Sequence, residues 1–272
     1  MNRKISFIGT GNMGGALIRS IRSEQLFVTD YNMEKATELA AEVSCKTASD
    51  NSEAVVLGEF IFLCVKPQVI GSVIEEISPA LNAAMEKGEH KVLVSIAAGM
   101  ALDTLRSRLS GPCRDLPFVR LMPNTPASIG KGMIALTCGA DVPDETVEDV
   151  MDILSNAGRV SRLPEHLMDA FSAVAGCSPA FVYMFIEAMA DGAVMAGLPR
   201  QDALTYAAQA VMGSAAMVLE TGMHPGALKD AVCSPAGSTI AGVAALERNG
   251  FRSAAIEAIT DAYHKNADLG KN

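Results

Sequence analysis

Three glycines at G-x-G-x-x-G spacing, Gly9-Thr10-Gly11-Asn12-Met13-Gly14, lie between a run that reads as a strand (residues 4–8) and one that reads as a helix (12–22). In a strand–turn–helix unit the first glycine permits a tight turn and the second lets the backbone approach a pyrophosphate. The third lets the helix pack closely on the strand. The helix that follows points its N-terminal amides and the positive end of its dipole at the phosphates. A second strand, 26–29, leads into Asp30, nineteen residues after Gly11, where an acid that reads a ribose belongs. The turn therefore reads as a dinucleotide site, the plain alternative being a glycine-rich turn without a ligand. A carboxylate at position 30 accepts hydrogen bonds from a free 2′-hydroxyl and repels a 2′-phosphate, which leans toward NADH over NADPH. Asp30 as a turn or cap residue is the alternative.

The rest of the first half keeps alternating. Residues 33–41 and 69–85 read as helices, and 60–65 and 91–96 are continuous apolar runs of strand length. Such runs suit strands buried on both faces of a parallel sheet. Residues 118–122, 133–137 and 159–162 read as further strands. The pattern predicts an α/β Rossmann-type doubly wound sheet. It changes at Leu163-Pro164. From there 165–175, 180–196, 201–220, 238–249 and 252–268 read as helices, broken at Gly176, Pro179, Gly197 to Pro199, Gly222, Pro225, Pro235 to Gly237 and Gly250. Two domains are expected: a dinucleotide-binding domain over 1–163 and an all-α domain over 164–272.

Charge and composition narrow the partners. The net charge is −9 and no basic run exceeds Arg3-Lys4, which excludes a nucleic-acid backbone as the ligand. The apolar stretch 180–198 carries Glu187 and Asp191 one helical turn apart, so it reads as a buried helix or a subunit interface, not a membrane span. The second-half helices are rich in Ala, Gly and Met and poor in charge. A bundle of that size cannot hide so much apolar surface alone, so at least a homodimer is expected. The six cysteines form no CxxC pair, and Cys45, Cys64 and Cys138 read as small buried hydrophobes. That suits a reducing cytoplasm. Four scattered histidines offer no metal-ligand cluster, and His224, just before Pro225, reads as a cap or surface residue.

Ligands of open α/β sheets bind at the carboxyl ends of the strands. That places Val65-Lys66-Pro67-Gln68 and Ala97-Ala98-Gly99 beside the cofactor, with Lys66 open between a ligand role and a surface one. Asn124, in Leu121-Met122-Pro123-Asn124-Thr125-Pro126, is open between a substrate contact and a structural role. In the helical half, Ser234-Pro235-Ala236-Gly237-Ser238-Thr239 precedes a helix. Exposed amides and hydroxyls there suit a small carboxylate, the alternative being that Ser238 or Thr239 merely caps the helix.

The sequence resembles the pyrroline-5-carboxylate reductase family over essentially its whole length. The resemblance rests on residues 7–14, 65–68, 122–126, Gly176-Cys177-Ser178-Pro179-Ala180, 207–213, 219–222, 224–230 and 234–240. The resemblance implies reduction of a cyclic imine with NADPH or NADH, a Rossmann domain, and a helical domain that dimerises. It implies that the amides of Ala236, Gly237 and Ser238 with the Ser234 hydroxyl hold the substrate carboxylate, that Thr239 meets the ring nitrogen, and that Asn51 touches the cofactor ribose. Two positions depart from the family pattern. Ala236 stands where Gly-Gly is usual, and Cys177 stands in Gly-Ser-x-Pro-Ala. If position 236 requires φ > 0, alanine there costs about 1 kcal/mol. A β-hydroxyacid dehydrogenase, or another imine reductase of related fold, is the enzymatic alternative. The dehydrogenase chemistry needs a lysine early in the second domain, and residues 165–181 contain none. A non-catalytic nucleotide sensor is the other alternative, and the presence of Thr239 counts against it.

Overall fold

The computed structural model describes residues 3–21 and 23–269. Arg22, expected at the end of the first helix, lies outside the described residues. The first half alternates as β1 (Ile5–Ile8), α1 (Asn12–Ser20), β2 (Leu26–Thr29), α2 (Met33–Val43), β3 (Lys46–Thr47), α3 (Asn51–Leu57), β4 (Phe60–Leu63), α4 (Pro67–Glu86), β5 (Val92–Ser95) and α5 (Leu102–Ser107). It continues through β6 (Phe118–Met122), β7 (Gly132–Cys138), α6 (Asp144–Ile153) and β8 (Gly158–Arg162). The eight strands make one sheet in the order β3-β2-β1-β4-β5-β6-β7-β8. All neighbours are parallel except β6 and β7. A parallel pair needs a crossover of a dozen or more residues, and the 123–131 connection is too short for one.

Strand side chains alternate between the two faces, so the central strands β1, β4 and β5 feed two cores. Phe7, Phe60, Phe62, Val92 and Val94 pack under α1, α2 and α6. Ile8, Ile61, Leu63 and Leu93 pack under α3, α4 and α5. The Phe7 and Phe62 rings stack with centroids 4.5 Å apart on the first face. Continuous apolar strand runs are thus explained by burial on both sides.

The second half holds α7 (Met168–Phe171), α8 (Ser178–Met195), α9 (Arg200–Thr221), α10 (Pro225–Ala231), α11 (Ser238–Arg248) and α12 (Phe251–Leu269). The break expected at Gly176 and Pro179 is absent. A π-helical segment, Ser172–Cys177, leads into α8, with Pro179 in its first turn. Pro179 has no N–H for the carbonyl of Ala175 four residues before it, and Asn124 Nδ2 donates to that oxygen instead at 2.9 Å. By its contacts the chain divides into one unit that runs through Gly176 and includes the segment from Tyr263, and another over Cys177–Ala262.

Within the helical unit the buried core is three alanines, Ala190, Ala203 and Ala207, where α8 meets α9. Tyr183, Met184, Met195, Tyr206, Met212 and Leu219 are exposed, Met195 by 90%. The apolar 178–195 run is therefore not a buried helix of the single chain, since Ala190 alone is buried along it.

Candidate active site

Hydrogen bonding within the central strands sets the glycine turn. Gly9 N donates to Thr29 O at 2.8 Å and Cys64 N to Ile8 O at 2.8 Å, so the turn sits directly over β1, β2 and β4. Gly9 has φ +105°, and a Cβ there would lie 2.5 Å from Cys64 O. A Cβ at Gly14 would lie 2.4 Å from Gly9 O, so α1 approaches the turn more closely than any side chain permits. Gly11 differs: a Cβ there would meet nothing within 4 Å. Its space opens outward, and it is the N-cap of α1 with no side chain capping the helix. Free first-turn amides facing open space suit a pyrophosphate. Thr10, Asn12 and Met13 occupy the turn and the first residues of α1. Burial pushes the Cys64 thiol beneath the turn well above its ordinary pKa, so it serves as a small apolar filler.

Asp30 ties the turn to the end of β2. Its Oδ2 accepts from Thr10 N at 2.7 Å and from Thr10 Oγ1 at 3.0 Å, while Oδ1 accepts from Asn32 N at 2.9 Å. The turn role left open above is therefore real, and the one spare lone pair, on Oδ1, still leaves the carboxylate able to accept from a ligand. Asp30, Asn51 and Val65 line one cavity of about 510 Å³ beside Gly9. Asn51 opens α3 behind the capping carboxylate of Asp50 and donates from Nδ2 to Glu76 Oε2 at 2.9 Å. The far end of α3 is closed by Lys91, 3% exposed. Its Nζ donates to Val55 O at 2.8 Å, Gly58 O at 2.7 Å and Val56 O at 3.3 Å.

Beyond β4, Lys66 is the N-cap of α4 and Pro67 its first residue. Ala97 N is held by Ser95 Oγ at 3.2 Å. Pro67, Ala98 and Gly99 line a second cavity of about 440 Å³, together with Met122 and Arg120. Asn124 is 8% exposed, and both ends of its amide are taken: Nδ2 donates to Ala175 O and Oδ1 accepts from Met133 N, each at 2.9 Å. That geometry favours its structural role. The pairings of Arg120 with Glu165 and of Lys91 with the α3 carbonyls are not legible in the sequence, because a single charge in or beside an apolar strand run carries no sign of its distant partners.

In the helical unit, the turn before α11 is closed by Gly237 N donating to Ser234 O at 3.1 Å, so the Gly237 amide expected to hold a carboxylate is already taken. The N-cap is Gly237, and no side chain caps the helix. Ser238 and Thr239 are the first helical residues, so neither acts as the cap. Ser234 and Thr239 are exposed. A Cβ at Gly237 would lie 2.5 Å from Ser234 Oγ, so glycine there leaves that hydroxyl in its present rotamer. His224 caps α10, its Nδ1 accepting from Gly226 N at 3.0 Å. Ala236 adopts φ +55°, a region that disfavours a Cβ. Ala236→Gly should therefore raise stability by about 0.5–1 kcal/mol, the gain being trimmed by glycine's greater freedom in the unfolded chain. Thermal unfolding measures this, and a lower melting temperature would contradict it.

The parallel-dominant sheet, the outward-facing Gly11 and the uncapped α1 define the Rossmann-type class of fold, with a turn suited to a dinucleotide pyrophosphate. Relatives narrow the class. A family profile described as "Pyrroline-5-carboxylate reductase dimerisation" matches residues 165–269, and one described as "NADP oxidoreductase coenzyme F420-dependent" matches 4–99. The chain is 43% identical over 278 residues to the pyrroline-5-carboxylate reductase of Escherichia coli K12, covering 100% of both chains. It is 38% identical over 276 residues to that of Methanosarcina acetivorans, covering 99% of each. The solved structure of Plasmodium falciparum pyrroline carboxylate reductase with NADP bound superposes with a TM-score of 0.83 at 30% identity, covering 99% of this chain and 98% of that one. The chain belongs to the pyrroline-5-carboxylate reductase family.

Proposed function

We infer that this chain reduces the cyclic imine 1-pyrroline-5-carboxylate to L-proline, the last step of proline biosynthesis. One observation carries the reading. A chain matched end to end by relatives of that name keeps both halves of the required chemistry: an uncapped dinucleotide turn at Gly9–Gly14 and an uncapped, hydroxyl-bearing helix start at Ser234–Thr239. The bound dinucleotide supplies the hydride. The chain supplies binding, orientation and electrostatics. The amides of Ala236 and Ser238 and the Ser234 hydroxyl hold the carboxylate, Gly237 closes the turn through its own amide to Ser234 O, and the Thr239 hydroxyl holds the ring nitrogen. No stronger acid is needed when the imine arrives protonated, because hydride addition to its carbon then yields the neutral secondary amine directly. Gly9, Thr10, Gly11, Asn12, Met13 and Gly14 take the pyrophosphate, Asp30 and Asn51 the adenosine ribose, and Val65, Lys66, Pro67, Ala97, Ala98 and Gly99 the remainder. A steady-state assay with pyrroline-5-carboxylate, run in parallel with NADH and NADPH, should show cofactor oxidation and proline formation. Turnover of a 3-hydroxy acid with none of the imine would overturn the reading.

Asp30 sets the cofactor preference toward NADH, its carboxylate opposing a 2′-phosphate. Asp30→Ser removes that repulsion but also loosens the Thr10 tether. NADH efficiency should fall, and NADPH efficiency should fall less or rise. The two kcat/KM values are the measurement, and an unchanged ratio would confine Asp30 to the turn.

The working form is a homodimer or a larger homo-oligomer built through the helical domain, 164–272. A core of three alanines cannot hold a unit of that size, whereas a second copy laid on the exposed Tyr, Met and Leu side chains completes it. A reducing cytoplasm suits its six free cysteines.

A further inference from the structure

The 510 Å³ cavity beside Gly9 is bordered from two sides of β1. On the β2 side stands Tyr31, next to Asp30 and fully exposed. On the β4 side α4 contributes Val69, Ser72, Val73 and Glu76, a single stripe that leads away from the start of the helix. Val69 is itself exposed. A tyrosine ring and a valine left open on two sides of one cavity suit the faces of a flat aromatic group. Glu76 stands at the far end of the stripe. Its Oε2 accepts from Asn51 Nδ2 at 2.9 Å, and no donor among the described residues reaches its Oε1. The other polar groups nearby serve their own helices: Asp50 caps α3 through Glu53 N, and Ser72 Oγ donates to Val69 O. Three carboxylates, of Asp30, Asp50 and Glu76, line the cavity without a cation. Such a wall takes a neutral group that carries a donor.

A dinucleotide with its pyrophosphate on α1 and its ribose at Asp30 directs its base into this cavity. Adenine carries one exocyclic donor, the 6-amino group, which a carboxylate accepts from. We propose that Glu76 reads the base: adenine lies between Tyr31 and Val69, and the Glu76 carboxylate accepts from its 6-amino group. The site thereby selects adenine over hypoxanthine, which presents a carbonyl oxygen at that position. Asn51 holds Glu76 in place through its own amide. The proposal rests on the dinucleotide reading above.

Calorimetric titration with NADH and its deaminated analogue, reduced nicotinamide hypoxanthine dinucleotide, tests it. The wild type should bind the analogue about 10-fold more weakly, having lost one charge-assisted bond and set a carbonyl against a carboxylate. In Glu76→Gln the side-chain amide accepts from an amine or donates to a carbonyl, so the two ligands should bind within about 2-fold of each other. Tyr31→Ala should weaken both by about 10-fold and leave their ratio alone, since either base stacks equally. Equal affinity of the wild type for the two ligands would overturn the proposal. So would a preference for NADH that Glu76→Gln retains, or a Tyr31→Ala variant that binds both as the wild type does. A wild type that binds neither would overturn the dinucleotide reading, and the proposal with it.

Discussion

Thr239→Ala should lower kcat/KM for pyrroline-5-carboxylate by about 10²–10³-fold, the loss typical of one oriented donor that strengthens in a transition state. The melting temperature should stay where it is. Those two outcomes belong together because of the geometry at α11. The cap position is Gly237, no side chain caps the helix, and the Thr239 hydroxyl has no hydrogen-bond partner among the described residues. A capping threonine would lose about 1 kcal/mol of stability on truncation; this one has no cap bond to lose. Thr239→Ser keeps the hydroxyl and should restore much of the rate. Affinity for the dinucleotide should be unchanged in both variants, since the residue lies in a different unit of the chain from the glycine turn. Thermal melts, cofactor titrations and steady-state kinetics on the pair measure all three. An alanine variant that melts lower yet turns over the imine at the wild-type rate would remove Thr239 from the chemistry.

Lys91→Met should cost about 3–5 kcal/mol, because it leaves the carbonyls of Val55, Val56 and Gly58 without their common donor and a buried acceptor left unsatisfied costs about 1–3 kcal/mol. The Lys91 ammonium closes the carboxyl end of α3 through the carbonyls of Val55, Val56 and Gly58, and also pairs with Glu89 Oε2 at 3.1 Å. Its positive charge suits the negative end of that helix. Methionine fills much of the same volume and donates nothing, so three carbonyls lose their common donor. For a chain of this size the melting temperature should fall by roughly 10 °C. Because α3 also presents Asn51 to the ribose cavity, the variant should bind ADP-ribose more weakly even when folded. A melt within a degree or two of the wild type would show that water replaces the ammonium.

Much of this architecture was legible. Phe60–Leu63 and Val92–Ser95 read as strands because they are buried on both faces, which is what a continuous apolar run encodes. The glycine turn was legible because Gly9 and Gly14 answer separate steric demands while Gly11 leaves its space open. The strain at position 236 was visible once Ala236 was set against a Gly-Gly pattern, and φ +55° agrees. Other elements left fainter marks. β3 is two exposed residues, too short for any periodicity. α6 carried a usable signal, with Val147, Val150 and Ile153 on one stripe and Asp144 and Glu145 in its first turn, yet the strand–helix alternation alone does not mark it. α3 depends on a lysine 33 to 36 residues away, and the Arg120 pair spans 45 residues. Pairings of that range are set by how the sheet brings strands together. The local sequence of 165–180 contains a glycine and a proline that normally end helices, and only the backbone shows that a π turn takes their place.

The most direct measurement follows the hydride itself. The enzyme is given pyrroline-5-carboxylate and nicotinamide cofactor deuterated at both C4 positions, and the proline formed is examined by mass spectrometry and NMR. One deuterium should appear on the ring carbon that was doubly bonded to nitrogen, and none on the carbon bearing the carboxylate. Unlabelled proline, label on the carboxylate-bearing carbon, or no proline at all would contradict direct reduction of the imine by this chain.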